Sequence, residues 1–273
     1  LDNHKFRFFV VTTDIEPATS QVTLVRKIER AFHRELAKSQ KAKTFLKDVW
    51  GFLKNVEAAG VKLKDAAETD AELILDDFAY SIAQTTNRLC ERDGAVSTFG
   101  HEYDGVLILL DECDKASSAL DLGAVLKLLL ERTQRHGCHK LMVGIAGLPS
   151  LSDVLHASHE SSLRLFDAMT LDRLTEQDVN NIVTRCLDQA NEINEAATTI
   201  DDKGQALLAN LSEGYPHFIQ QLGYCAFERD DDGVINEEDV AAGATGNGGA
   251  IELIGDRYYR DDYYNKIQKD SYR

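Results

Sequence analysis

Between Gly105 and Lys115 the chain reads G-V-L-I-L-L-D-E-C-D-K, five branched apolar residues running straight into two acids. A run this short and this apolar suits a strand buried on both faces, as in a parallel sheet. It could also belong to a buried helix, but the β-branched Val106 and Ile108 favour the strand. Asp111 and Glu112 then fall at the strand's C-terminal end, the side on which open α/β sheets place their ligands. The plainer reading is a buried strand closing in a solvated acidic turn. The rest of the chain bears on the choice between them.

Upstream, Lys5–Thr13 (K-F-R-F-F-V-V-T-T) is aromatic and β-branched and predicts a strand. Gln21–Lys38 has apolar residues at a helical period, so strand and helix make a first βα unit. Residues 39–104 are less legible: Thr44–Val56 is amphipathic around Trp50, Gly60–Leu63 is a candidate short strand, and Asp70–Cys90 predicts a helix. Downstream, Leu120–His136 predicts a helix stopped by Gly137, and Lys140–Ala146 (K-L-M-V-G-I-A) a second strand of the buried type. A helix between two such strands makes a right-handed parallel crossover. From Thr175, N-cap of a capping box with Asp178, to Glu228 the pattern is helical with no convincing strand. The change of pattern puts a domain boundary near residue 170. The expected organisation is an α/β core over 1–170, a helical domain over 171–245, and a tail or the start of a further domain over 246–273.

The acid-terminated strand resembles the Walker B segment of P-loop ATPases, in the form used by AAA+ proteins and the related signal-transduction (STAND) ATPases. Two further stretches carry the resemblance. L-M-V-G-I-A-G-L-P-S-L resembles the sensor 1 strand, and S-E-G-Y-P-H-F-I-Q-Q-L-G, Ser212–Gly223, is similar to the sensor 2 region of a helical lid. D-R-L-T-E-Q-D-V resembles the entry to that lid, and together these features, in the order of the origin-recognition-like and archaeal-type branch, cover about Phe6 to Val240. The resemblance implies a parallel-sheet P-loop NTPase core with a smaller all-helical lid, and ATP and Mg²⁺ as ligands. Asp111 would serve Mg²⁺, which prefers hard oxygen ligands and keeps part of its hydration shell. Glu112 would orient the water that attacks the γ-phosphate, since phosphoryl transfer asks the protein mainly for positioning and charge stabilisation. Gly214, Pro216 and His217 would contribute to the nucleotide site from the lid, Ser150 from the loop after the sensor 1-like strand, and Arg164 in trans as an arginine finger on a neighbouring subunit. Self-association or a protein effector is implied as partner.

The pattern also departs from the family. No G-x-x-x-x-G-K-[ST] occurs in the chain, so the phosphate-cradling loop and its lysine are missing. In the family that motif precedes the strand at Lys5–Thr13, so a truncated chain is expected, the motif lying upstream of Leu1. Gly147-Leu148-Pro149 offers no polar side chain where sensor 1 has one, and His217 stands where sensor 2 often has arginine. Two functions therefore compete: a Mg-dependent ATP switch within a larger protein, and an ATPase-fold scaffold that works by protein contacts without hydrolysis.

The net charge of −16, from 46 acids and 30 bases, argues against a broad nucleic-acid footprint, so nucleic acid is expected only through regions outside this chain. Five scattered cysteines without a C-x-x-C fit a reducing cytoplasm, and no apolar run approaches the roughly 20 residues of a membrane span. Glu228–Asp239 imitates an EF-hand loop but lacks the terminal bidentate Glu, so a polar turn with Asn236 as a helix N-cap is preferred. His136, Cys138 and His139, and His156 with His159, lack structural zinc spacing and are expected at the surface.

Overall fold

A computed structural model describes residues 6–38, 68–91, 99–159, 162–194 and 196–260, and the chain divides into two compact units, Leu1–Ala168 and Met169–Arg273. The expected Thr44–Val56 helix and Gly60–Leu63 strand lie outside the described residues.

In the first unit three strands form one parallel sheet: β1 (Phe8–Asp14), β2 (Gly105–Asp111) and β3 (Leu141–Ile145), with β2 central. β1 pairs with β2 from Phe8↔Gly105 to Asp14↔Asp111, and β2 with β3 from Val106↔Leu141 to Leu110↔Ile145. Its central position is why β2 reads as uninterrupted apolar residues: Val106, Ile108 and Leu110 are sealed. Helix α1 (Gln21–Ala37) starts at Ser20, whose hydroxyl caps the Thr23 N–H. It lays Leu24, Ile28, Phe32 and Leu36 on the sheet, with Phe32 stacked 5.7 Å from Phe9. Full burial of a side chain such as Phe32 contributes about 2–3 kcal/mol. Helices α2 (Glu68–Leu89) and α3 (Leu122–Arg135) complete the core with Phe78, Ile82, Val125 and Leu129. Buried Arg132 fastens them together, donating to the backbone and carboxylate oxygens of Glu72, each at 2.9 Å. Helix α4 (Leu151–Ser158) and a 3₁₀ turn (Ser162–Leu165) follow β3.

β3 departs from expectation. Its sequence predicts a strand covered on both faces, yet Met142 is 53% exposed and its neighbours are half-buried. The reason is position: β3 is the last strand of the described sheet, with nothing paired on its far side among the described residues.

The second unit is mainly helical: α5 (Glu176–Asn191), α6 (Asp202–Ser212), α7 (Pro216–Phe227), α8 (Glu237–Thr245) and α9 (Ala250–Ile254), ending in a π-helical turn (Gly255–Tyr259). Both predicted caps are present as reciprocal capping boxes, Thr175 with Asp178 and Asn236 with Asp239. Unlike the all-helical expectation, Thr199–Ile200 (β4) and Val234–Ile235 (β5) pair as a two-residue parallel ladder. The core gathers Val179, Leu208, Ile219, Leu222, Ala226, Ile235 and Val240, and it takes in Ala250 as well. The fold class is thus α/β, a parallel sheet with helices followed by a helical unit.

Candidate functional site at the carboxyl end of the parallel sheet

The register brings Asp14 and Asp111 side by side at the carboxyl ends of β1 and β2, and the ladder continues one step as Ile15 N–H donates to the Asp111 carbonyl at 2.9 Å. The chain then turns sharply. Glu112 takes a left-handed conformation (φ 54°, ψ 31°) and a 3₁₀ turn, Cys113–Lys115, follows. A non-glycine residue there costs about 1–2 kcal/mol, so the surroundings must hold it. They do so through buried Cys113, whose N–H donates to the Ala146 carbonyl at 2.9 Å, and through Asp111, whose carboxylate accepts the Glu112 N–H at 2.7 Å. Burial pushes the Cys113 thiol up to about 12, outweighing the Ala146 hydrogen bond that opposes it, so it is an inert plug.

Asp114, which sequence reasoning passed over, ties this turn to the loop after β3. Its carboxylate accepts the Leu148 N–H at 3.0 Å. The two loops are so close that a Cβ on Gly147 would lie 2.7 Å from that same oxygen, which accounts for the glycine. Only the D-E-C-D spacing hinted at such a role, since the partner is a backbone amide 34 residues away.

The rim of the sheet is acidic, with Asp111, Glu112 and Glu16 exposed. Two lysines answer it: Lys27 reaches Glu16 at 2.9 Å and Asp14 at 3.5 Å, and Lys115 reaches Glu112 at 2.7 Å. Burial works against the charge on Lys27, but the Glu16 and Asp14 carboxylates outweigh it and hold the ammonium above its ordinary value; the Glu112 hydrogen bond does the same for Lys115. The Glu112–Lys115 pair is half-exposed, a setting in which such pairs contribute about 0–1 kcal/mol. It can therefore open at little cost and leave Glu112 free to turn.

Among the described residues no group of three or more His, Cys, Asp or Glu is close enough to hold a metal by itself. That donor set does not make a protein cage, but it fits Mg²⁺, which uses one or two carboxylates and completes its shell with water or phosphate oxygens.

The remaining predicted residues are placed as follows. Ser150 is exposed at the N-cap of α4, without a side-chain capping bond, and Arg164 is exposed in the Ser162–Leu165 turn. Both belong to the unit that carries Asp111 and Glu112. Gly214, Pro216 and His217 belong to the other. Gly214 has φ +73°, its carbonyl accepts the Leu174 N–H at 3.0 Å, and it would place a Cβ 2.2 Å from the Leu174 carbonyl. Tyr215 is extended ahead of Pro216, which opens α7 at a position where the missing N–H does no harm. Gly214 and Pro216 are thus fully accounted for by the turn they build. His217, half-buried beside Phe218, is the member of the trio with polar chemistry to offer. Arg173, another arginine near the boundary, is ion-paired with Glu213 at 2.9 Å and stacked 4.6 Å over Tyr215.

The EF-hand imitation resolves as a turn: one Asp230 oxygen accepts the N–H groups of Asp232, Gly233 and Val234. Among the described residues no helix is long and apolar enough to cross a membrane.

No protein-family model and no curated protein matches the chain. Among solved structures it is similar to the RuvB Holliday junction branch migration motor of Thermotoga maritima, at 17% identity over 66% of this chain and 58% of that one, TM-score 0.38. It is also similar to a Walker-type ATPase of Pyrococcus abyssi, at 11% identity over 82% of this chain and 57% of that one, TM-score 0.46. A third is the ORC2 protein of Aeropyrum pernix in ADPNP and ADP complexes, at 13% identity over 90% of this chain and 55% of that one, TM-score 0.45. The chain spans little more than half the length of each of these structures.

Proposed function

We propose that this chain is the ATP-binding, Mg-dependent switch module of a larger cytoplasmic protein of the AAA+/STAND type, hydrolysing ATP and coupling nucleotide state to a rearrangement of core and lid and to assembly with partners. The observation that carries the reading is the Asp111-Glu112 pair at the carboxyl end of the central strand, with its turn tied through Asp114 to the loop after β3. In this reading Asp111 holds Mg²⁺, which when bound supplies charge neutralisation to the phosphates. Glu112 leaves Lys115, takes up the attacking water and orients it, while Asp114 keeps the neighbouring loop in register. No phosphate-binding loop motif occurs in the sequence, and among the described residues nothing pairs with the outer edge of β3, where a further parallel strand carrying one would add to the sheet.

The test is Mg-ATP binding and turnover by the full-length protein, with Glu112→Gln alongside. Binding retained and kcat reduced by about 100-fold or more supports Glu112 as the residue acting on water. No ATP binding up to millimolar concentration overturns the switch and favours the scaffold, a reading supported by the apolar Gly147-Leu148-Pro149 loop.

A further inference from the structure

A cleft of about 550 Å³ opens within the helical unit between α5 and α7, floored by the β4–β5 ladder. On α5 its wall is Ile182, Cys186 and Ala190, spaced four apart; on α7 it is Gly223 and Phe227 with the ring of Tyr224. Ile182 is 37% exposed and Tyr224 59%, so an apolar stripe on each helix faces outward rather than into the core. From Ile182 to Ala190 the α5 wall runs about 12 Å at helical rise, room for roughly two turns of a helix lying alongside.

The electrostatics select the occupant. Between residues 169 and 260 there are 18 acids and 6 bases, a net charge of −12 out of −16 for the whole chain. α5 and α7 both end beside the β4–β5 ladder: the Asn191 side chain bonds the Thr198 backbone at the end of α5, and Asp230, three residues after α7, caps the turn into β5. Neither helix has a basic residue in its last turn. Instead Glu192, Glu228, Asp231 and Asp232 stand exposed at that end, adding to the negative ends of two helix dipoles. Arg229 is the one base in that cluster and donates to the Asn247 carbonyl, so the end stays net negative, and an apolar trough with such an end complements an amphipathic helix that carries lysine or arginine beside its apolar stripe.

We propose that the α5–α7 cleft is the docking site for a basic amphipathic helix of a protein partner. It is independent of nucleotide, and so is its test. The probe is a fluorescein-labelled 18-residue Leu/Lys peptide with leucine at i, i+3, i+4 and i+7, compared by anisotropy with its Leu/Glu counterpart at physiological salt. The full chain is used, with the neutral, exposed-site variants Ile182→Asn and Tyr224→Ser, their folding checked by circular dichroism. The Leu/Lys peptide should bind and the Leu/Glu peptide fail, and each variant should weaken binding by about 10-fold or more. Equal binding of both peptides, or binding that the variants leave unchanged, overturns the proposal, because the first is unselective apolar adhesion and the second diffuse charge attraction. No binding overturns it too. So does a wild-type dimer that the variants convert to monomer, since the cleft would then be filled by a second copy.

Discussion

Gly214→Ala should be the most damaging small change in the helical unit. Two costs add. At φ +73° an L-residue is disfavoured by about 1–2 kcal/mol. The new methyl would also sit 2.2 Å from the Leu174 carbonyl, so the strands of the turn must part and forfeit the Leu174 N–H to Gly214 carbonyl bond, worth about 0.5–1.5 kcal/mol. The sum is about 1.5–3.5 kcal/mol, a factor of roughly 10 to 400 in the opening equilibrium. Hydrogen exchange resolved to peptides of α6 and α7 reads that factor directly as faster exchange of their protected amides. Gly248→Ala is the control, because Gly248 shares the backbone conformation (φ +69°) with nothing within 4 Å of its Cβ position. It should lose only the conformational part. If Gly214→Ala costs no more than Gly248→Ala, the close approach to Leu174 is not what requires the glycine.

Two further outcomes follow from the core unit. Asp114→Ala removes the acceptor of the Leu148 N–H, so that amide should exchange about tenfold faster while Asp114→Asn, which keeps a carbonyl oxygen, restores most of the protection. Cys113 gives a pH signature: its thiol is held near 12 by burial but ionises near about 8.5 when unfolded, so the unfolded state gains from rising pH first. The stability advantage of wild type over Cys113→Ala in urea titrations should be constant below about pH 8 and shrink by up to about 1.4 kcal/mol per pH unit above pH 9. A difference that does not change with pH would refute the buried-thiol account.

What could be read ahead of the structure, and what could not, divides along physical lines. β2 was legible because every residue in it agrees: central strands are sealed on both faces, and the acids mark where sealing stops. The capping boxes at Thr175 and Asn236 were legible because a cap is local, spanning three residues. β3 has an equally apolar sequence but a different fate, because a strand's exposure is decided by its outer neighbour, which no pattern within Leu141–Ile145 can report. β4 was missed since two residues carry no period, and its partner lies 35 positions away. At the candidate site Asp111 and Glu112 stood out by type and place. The tether from Asp114 and the hold of Lys115 on Glu112 did not, being matters of which way short polar side chains turn.

The register of β1 against β2 also bears on how this protein comes to be folded. Phe8 and Gly105 are neighbours in the sheet but 97 residues apart in sequence. Closing a loop of that length costs about 4 kcal/mol in chain entropy, and β1, though made early, gains its partner in the described sheet only when β2 is made. During synthesis the F-F-V-V segment waits for this partner for roughly a hundred residues, some 5–20 seconds at ribosomal speed. Such a segment is a template for association with other nascent chains. Arg7 directly before it is a gatekeeping charge of the kind that suppresses this. In the second unit the strand pairing of Thr199 with Val234 spans only 35 residues, so the corresponding wait is about a third as long.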